Sequence, residues 1–248
     1  MNKKLLVIVG ITAALLLAVY VGLEFFLGSI VKAGVDSFGP RITQTSVSVA
    51  GAHLSPFSGG GTLTGLTVGN PKGWSENNAF YLGKVRLSVK PFSIFGDHIV
   101  VDEVFIEQPE FNYETKIIAS NIGDLLKNIE AVTGSADKGA QPTAKSGKPI
   151  KFEVKRFRMQ NGTVRVGFGP TAIKLPMPPI ALNDLGTKEG GITADQLTVA
   201  VMRSVTSSVI GATAQAAGQI GKTGGAAAVE GVKQTGEAIK NLFGGGNK

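Results

Sequence analysis

The sequence predicts an α+β protein in which a single N-terminal transmembrane helix precedes a twisted antiparallel β-sheet domain. We expect a short helix inserted within the sheet region and a longer C-terminal helix after it. Three observations support this fold class. A long apolar segment stands near the N-terminus, alternating apolar and polar residues recur between residues 42 and 182, and two segments, 121–132 and 193–217, carry apolar residues every three or four positions.

The N-terminal apolar segment runs from Leu5 to Phe26 and contains one charged residue, Glu24. At about 1.5 Å per helical residue, it just covers a hydrocarbon core of about 30 Å. Lys3 and Lys4 precede it, whereas Glu24 near its far end and Lys32, Asp36 and Arg41 after it sum to zero, so the positive-inside rule predicts a cytoplasmic N-terminus. A cleaved signal peptide is the alternative. We expect a retained anchor, because the apolar run is long and no small-x-small cleavage site ends it.

Composition narrows the possible functions. The 248 residues include 34 glycines and no cysteine, and the net charge is +7. The absence of cysteine excludes disulfides, thiolate metal sites and a cysteine nucleophile. The basic residues are scattered and form no stripe with interleaved aromatics, so we expect no nucleic-acid partner. A mildly positive body is compatible with contact to anionic lipid headgroups.

The body of the chain reads as strands with two amphipathic helices. We expect Gly28 to Gly39 to extend the membrane helix and Pro40 to end it. The change of parity at Gly65 predicts a β-bulge, and Asn161-Gly162 predicts a hairpin turn. The predicted strands are 42–50, 62–68, 82–90, 98–106, 110–115, 150–157 and 163–168, with short edge strands at 172–175 and 180–182.

These patterns divide the chain into consecutive regions. The stretch between the two β-rich parts is rich in Gly, Ala, Ser, Lys and Pro, and we interpret it as a flexible linker. The predicted regions are the cytoplasmic N-terminus 1–4, the transmembrane helix 5–27, a first β-rich region 28–133, the linker 134–149, a second β part with its amphipathic helix 150–217, and a Gly-rich tail with a weak helix 218–248.

Alternation along the strands predicts two chemically distinct sheet faces. The apolar face must either be covered by helix 193–217 as an ordinary core or line an apolar groove. Its candidate lipid-facing residues are Val85, Leu87, Val89, Phe152, Val154, Val164 and Val166. The polar face is either a solvated surface or a contact for lipid phosphates, and its candidate headgroup contacts are Lys84, Arg86 and Lys155.

No pattern in the sequence predicts catalysis. His53 and His98 have no third ligand at a matched spacing, so we expect no metal site and no cofactor. The glycines 59–61 are followed by neither Gly-Lys-Ser/Thr nor a helix, which argues against a phosphate-binding loop. Asp102 and Glu103 are neighbours in a strand and point to opposite faces. We therefore expect a protein that is not an enzyme.

One ordered series of motifs resembles a known family. Residues 47–129 resemble the N-terminal region of the AsmA-like bacterial envelope proteins. The likeness rests on a membrane helix, then a strand ending near Phe57, and then Leu66 to Trp74, which fits the family's Leu-x-Val-x-Asn-Pro-x-Gly-aromatic pattern. Further strands and Asn121-Ile122 before a short helix follow in the same order. The residues that carry the turn motif are Asn70, Pro71, Gly73 and Trp74.

This resemblance implies a non-enzymatic protein of a Gram-negative envelope, anchored in the inner membrane with its body in the periplasm. Such proteins handle phospholipid or influence outer-membrane assembly, so the expected partners are membrane lipid and, in addition, an envelope protein. This chain is much shorter than the large members of the family. Two alternatives stay open: a scaffold that docks a partner protein through helix 193–217 without lipid, and a small lipid-binding β-sandwich of the late-embryogenesis-abundant type.

Overall fold

The computed structural model describes residues 3–134, 142–144, 146–167 and 172–223. Most of the predicted linker and the weak helix predicted in the tail lie outside the described residues. At the end of the linker, the Ile150 N–H donates to the Pro142 carbonyl at 2.9 Å. The fold is α+β, as predicted, with three α-helices and one large sheet in the described part of the chain.

The first helix, α1, spans Lys3–Thr43 and is 41 residues long. It continues through Pro40, so the prediction that Pro40 ends it is wrong. Proline in the last turn removes only one backbone donor. The helix end is held instead by burial of Ile42 and by the Thr43 hydroxyl, which donates to the Gly39 carbonyl at 2.9 Å. The first residues of the strand predicted at 42–50 are therefore helical.

In the described part of the chain, twelve strands follow or separate the helices. Most match the predicted strands within a few residues, because alternation on a half-buried sheet is a strong local signal. The strands are β1 Val47–Ser48, β2 Gly51–Leu54, β3 Gly60–Gly69, β4 Asn78–Val89, β5 His98–Glu107, β6 Glu110–Tyr113, β7 Thr115–Lys116, β8 Ala119–Ser120, β9 Lys151–Gln160, β10 Thr163–Val166, β11 Ile173–Pro176 and β12 Ile180–Leu185.

Ten of these strands form one sheet. Some of them lie end to end beside the same neighbour, so the sheet has six strand positions, which we call columns. The column order is β1/β2, β3, β4, β5/β6, β9/β10 and β11/β12, and β7 and β8 form a separate small hairpin. Neighbouring columns are antiparallel, except that β5 with β9 and β6 with β10 pair in parallel. The sheet is therefore mixed, with one parallel junction inside an otherwise antiparallel arrangement.

The Asn161-Gly162 step does not form the predicted hairpin. β9 and β10 are consecutive parts of one column, which runs alongside β5 and β6 with a constant register. Asn161 and Gln108 have φ values of 55° and 54°, and they kink the two parallel columns at the same level. The left-handed conformation that Asn adopts easily serves here to bend a strand, not to reverse the chain.

The change of parity at Gly65 is also not a bulge. The β3–β4 register is unbroken from Gly60–Ser88 to Val68–Phe80, which places Gly65 opposite Gly83. Before this glycine pair one set of alternate residues faces the core, and after it the other set does. The change occurs at the same level in both strands. Gly65 has a φ of 63°, and a Cβ atom at that position would lie 2.7 Å from the Cβ of Ala50. The register shifts within this column pair at Val68/Gly69.

Two further helices cover the sheet. Helix α2, Asn121–Gly134, buries its predicted stripe of Ile122, Leu125, Leu126 and Ile129 against α1 and the third helix. That third helix, α3, spans Ala194–Thr223 and runs past the predicted end at residue 217. Its residues Val199, Met202, Val205, Val209 and Ala212 are buried, so α3 lies over the apolar sheet face.

The second half of α1 packs along the edge of the sheet. Gly28 lies so close to the Ala52 carbonyl that no larger residue fits there. Asp36 accepts a hydrogen bond from the Val49 N–H at 2.9 Å and pairs with Lys32 at 2.7 Å. Lys32 also donates to the Val49 carbonyl. The helix that begins as the apolar N-terminal segment is therefore continuous with the framework of the β domain.

Candidate apolar binding cavity

A cavity of about 300 Å³ lies between the sheet and α3. It extends along β4 from Phe80 to Leu87, which at about 3.3 Å per residue is roughly 23 Å. The helix side of its wall is formed by residues of α3, and the sheet side by the inward-facing residues of five strands. The lining residues are Leu63, Leu66, Phe80, Leu82, Val85, Leu87, Val104, Ile106, Phe111, Val154, Phe157, Met159, Leu197, Thr198, Val201, Met202 and Val205.

The chemistry of this wall is almost purely apolar. Thr198 is the one polar residue among the lining residues, and its hydroxyl donates to the Ala194 carbonyl of its own helix at 2.7 Å. The wall contains no titratable group, so it offers neither an acid nor a base to a bound molecule. A cavity of this size and composition suits an apolar ligand that is held by burial of its surface.

The start of α3 fixes the helix over the cavity. Just before the helix, Ile192 pairs with Phe152 of β9 through two backbone hydrogen bonds of 2.7 and 2.9 Å. Thr193 and Gln196 form half of a capping box, since the Gln196 side chain accepts from the Thr193 N–H at 3.0 Å. The Thr193 hydroxyl bonds Asp195 instead. The helix therefore leaves the sheet edge at a defined point.

The structure distributes the predicted apolar residues over different places. Val85, Leu87 and Val154 line the cavity. Val89 and Val164 are buried in the core but are absent from the cavity wall, so they act in packing. Phe152 and Val166 are half-buried and also lie outside the wall. The predicted face is thus one continuous apolar surface, of which only the central part is left unfilled.

The predicted headgroup contacts do not lie at the cavity. Lys84 and Arg86 alternate with Val85 and Leu87 along β4, so they project from the opposite face of the sheet. Arg86 is 3.4 Å from Glu107 and lies over the Phe105 ring. An acyl chain in the cavity and a phosphate on these residues would therefore be separated by the sheet.

Lys155 is likewise on the solvent-exposed face, where its Nζ is 2.7 Å from Asp102. The hydrogen bond that Lys155 donates to Asp102 raises the pKa of Lys155 above its usual value. This ion pair joins β9 to β5 across the parallel junction. The contact of Lys155 with a lipid headgroup stays a prediction.

Sequence reasoning missed most of the cavity wall. Val104 and Ile106 of β5, with Phe157 and Met159 of β9, follow the same alternating pattern as the residues that were predicted. Their inward direction follows from the constant parallel register, which no local pattern reveals. The stripe of α3 was recognised, but its position over the sheet depends on the Ile192–Phe152 pairing.

The family-like turn motif is a structural junction. The Asn70 side chain donates to Glu114 at 2.8 Å and accepts from the Asn121 side chain at 2.8 Å. Glu114 and Asn121 are buried, and Glu114 also accepts from the Ser75 N–H at 3.1 Å and from the Ser75 hydroxyl. These polar groups tie the β3–β4 turn to β6 and to the start of α2.

The rest of the motif closes the same junction from outside. The Trp74 indole N–H donates to Asp124 in the first turn of α2 at 3.0 Å. Lys116 lies 4.6 Å from the Trp74 ring centroid and donates to the Gly73 carbonyl at 2.6 Å. Gly73 has a φ of 87°, which glycine adopts without strain. The motif therefore positions α2, and Trp74 packs against protein.

Each of the two histidines lies beside one glutamate. His53 lies 3.5 Å from Glu24 and His98 lies 3.4 Å from Glu153. In the part of the chain that the structure describes, no group of three or more potential ligands is placed to hold a metal ion.

Two described helices are long and apolar enough to cross a membrane, α1 and the Ala194–Ala217 part of α3. They differ in their surroundings. The apolar window of α1 is not covered by the protein at all, whereas α3 presents a packed stripe to the sheet and to α2. Of the two, α1 has the environment of a membrane anchor or signal sequence, because none of the described residues covers its apolar surface.

Comparison with known proteins gives no relative. No model of a protein family matches the chain, no curated protein is significantly similar to it, and no solved structure matches it significantly. The resemblance of residues 47–129 to the AsmA-like proteins therefore stays a prediction from the sequence pattern.

Proposed function

We propose that this chain is a non-enzymatic, membrane-anchored envelope protein that holds the acyl chain of a phospholipid between its sheet and α3. The observation that carries the proposal is the cavity of about 300 Å³ with a single, internally bonded polar residue in its wall. Only an apolar molecule gains from entering such a site, because a polar ligand would lose its hydrogen bonds to water without replacement. Membrane lipid is the apolar molecule nearest to a chain anchored by α1.

The proposed location is the bacterial inner membrane, with the body in the periplasm. The uncovered apolar part of α1 and the two lysines that precede it support this orientation. The AsmA-like resemblance points to the same compartment and to a role in envelope or outer-membrane maintenance. A reporter enzyme fused after Lys248 that is active only outside the cytoplasm is the expected result; activity only inside would overturn the orientation.

The binding proposal is tested by lipid retention. We expect the full chain, extracted in mild detergent, to carry phospholipid that native mass spectrometry detects as a mass increment. Val201→Trp places a large ring into the cavity from α3. The ring occupies volume that the acyl chain needs. If this steric cost is roughly 1–3 kcal/mol, as for overpacking, and falls on binding, affinity drops by roughly 5- to 150-fold, so retained lipid should fall by at least several-fold.

Ile210→Trp is the matched control, because Ile210 is half-buried on the same helix and does not line the cavity. It should retain lipid as the native chain does. A native chain without lipid, or equal retention in the two variants, would contradict the acyl-chain proposal. A lipid-free chain that keeps a protein partner would favour the scaffold alternative, although the α3 stripe that such docking was expected to use is largely packed against the domain.

A further inference from the structure

Three large phenylalanines are exposed at one end of the sheet. Phe57 is 59% exposed, Phe92 is 65% exposed and Phe95 is 61% exposed. Phe92 has a φ of 66°, a left-handed conformation that costs a non-glycine residue about 1–2 kcal/mol. A bulky side chain held in this conformation and turned outward indicates that its exposure serves a purpose beyond packing.

The three rings belong to two neighbouring loops. Phe57 lies in the loop between β2 and β3, and the other two lie in the 3₁₀ turn Ser93–Phe95 and the residue before it, just after β4. The loops meet where the Val89 N–H donates to the Gly59 carbonyl at 2.8 Å. A Cβ on Gly59 would collide with the Val89 carbonyl, which shows how closely the loops approach. The rings therefore share one end of the sheet.

This end of the sheet is also the end that meets α1. The Tyr20 ring stacks on Phe57 with centroids 5.7 Å apart and an interplanar angle of 23°. The Tyr20 hydroxyl lies 3.3 Å from the Ser55 hydroxyl, and His53 lies 3.5 Å from Glu24. Contact between α1 and the β domain thus begins at Tyr20, while the helix before it is exposed throughout.

The length of the uncovered helix sets the height of the domain above the membrane. From Lys3 to Val19 every residue is exposed, which is 17 residues. At about 1.5 Å per residue this stretch is about 25 Å long, shorter than a hydrocarbon core of about 30 Å. If the N-terminal part of α1 spans the bilayer, the membrane reaches past Val19 to the level of Tyr20. At this level the β2–β3 loop already contacts α1.

We propose that Phe57, Phe92 and Phe95 insert into the boundary between acyl chains and headgroups of the leaflet from which α1 emerges. The inference rests on the membrane anchor of the proposed function. Phenylalanine is among the side chains that membrane-surface elements bury at this boundary, and Lys90, two residues before Phe92 in the chain, is exposed and suited to a lipid phosphate. The insertion places the Leu87 end of the cavity, two residues from the end of β4, towards that leaflet.

The test uses the absence of cysteine in the chain. Single variants Phe57→Cys, Phe92→Cys and Phe95→Cys of the full chain are labelled with an environment-sensitive fluorophore. They are reconstituted in phosphatidylethanolamine/phosphatidylglycerol vesicles, some with a nitroxide near the ester end of an acyl chain. Ile118→Cys is the matched control, since Ile118 is 78% exposed in the hairpin that contacts the opposite, Gly73 end of the sheet through Lys116.

We expect the labels at 57, 92 and 95 to emit at shorter wavelength than the label at 118. They should be quenched several-fold more by the lipid nitroxide and several-fold less by aqueous iodide. A Leu15→Cys label reports on α1 itself. If the residue-15 label is in lipid while labels at 92 and 95 behave like 118, the insertion is overturned and the anchor stands; if residue 15 is in water, the anchor fails and the insertion with it.

Discussion

The side chain of Asn121 makes three hydrogen bonds within the turn junction. Its side chain is fully buried, donates to Asn70 and to the Asn112 carbonyl at 2.8 and 2.7 Å, and accepts from the Glu114 N–H at 3.0 Å. Each buried backbone group that loses its partner costs about 1–3 kcal/mol. Asn121 therefore stabilises the fold mainly by providing hydrogen-bond partners for these backbone groups.

We expect Asn121→Ala to lower the free energy of unfolding by about 2–4 kcal/mol, because two buried backbone groups lose their partner. Asn112→Ala is the matched control. Its amide donates to the Asn78 carbonyl at an exposed position, so the change should be about 0.5 kcal/mol or less. Denaturant unfolding in detergent, followed by circular dichroism, measures both; equal effects would show that the junction does not depend on Asn121.

Asp36 links α1 to the sheet in a way that depends on pH. The hydrogen bonds from Lys32 and from the Val49 N–H lower the pKa of Asp36 below its ordinary value of 3.8. The folded protein therefore binds fewer protons than the unfolded chain. The stabilisation is complete above the ordinary pKa and is lost as the pH falls through the lower pKa of the folded state.

Asp36→Ala should cost about 1 kcal/mol near neutral pH, because the Val49 N–H loses its acceptor. Asp36→Asn keeps an acceptor oxygen and should cost less. Unfolding free energies of the three proteins, measured from neutral to acidic pH, should differ by a constant amount down to a pH of about 4. Below it, the extra stability of the native chain over the two variants should disappear. A difference that persists at lower pH would contradict the assigned role of the carboxylate.

At the level of elements, the paired glycines of β3 and β4 have different roles. Gly65 needs its left-handed φ of 63° and lies close to Ala50, whereas Gly83 has ordinary φ and its nearest neighbour for a Cβ is a Tyr81 ring atom at 3.6 Å. The switch of inward parity from Leu82 to Val85 is centred on this pair. It directs both halves of β4 into the cavity wall.

Gly65→Ala should therefore destabilise the domain by at least about 1–2 kcal/mol, from the left-handed backbone alone, with the contact to Ala50 adding to it. Gly83→Ala is its control on the facing strand and should change stability by less than about 1 kcal/mol. Thermal unfolding of the two variants in the same detergent gives the comparison. Equal loss in both would mean that the conformation of Gly65 is not what the strand pair requires.

The elements show where local patterns were sufficient and where they were not. Alternation located the strands, and periodicity located α2 and its buried stripe from Ile122 to Ile129. The parallel junction was missed, because Asn161-Gly162 has the composition of a hairpin turn. The helix between β6 and β9 was nevertheless a signal, since parallel strands need a crossover connection and α2 provides it.

For the whole molecule, the sequence predicted the anchor and the apolar face but not their spatial relation. The strand registers that bring Val104 and Phe157 beside Leu87 are a long-range property, and so is the pairing of Ile192 that lays α3 over the face. Likewise, the exposure of Phe92 follows from the way two loops meet. Local propensity does not encode such non-local contacts.

The height at which the domain sits on the membrane yields the last prediction. Because every residue from 3 to 19 is exposed, we expect that the uncovered helix can be lengthened without altering the domain. Inserting four leucines between Leu16 and Leu17 adds about 6 Å, which raises the uncovered stretch from about 25 Å to about 31 Å. The anchor then spans the hydrocarbon core without help from the loops.

In the lengthened chain, a fluorophore on Phe92→Cys should move from lipid to water, with redder emission and stronger quenching by iodide. The unfolding midpoint of the domain should not change, since no contact of the domain is altered. An insertion of four leucines after residue 223, beyond the part of α3 that the structure describes, is the control and should leave the label in lipid. If the label stays in lipid when α1 is lengthened, tilt of the helix has absorbed the extra length. The length of the uncovered stretch then does not determine how close the domain lies to the membrane.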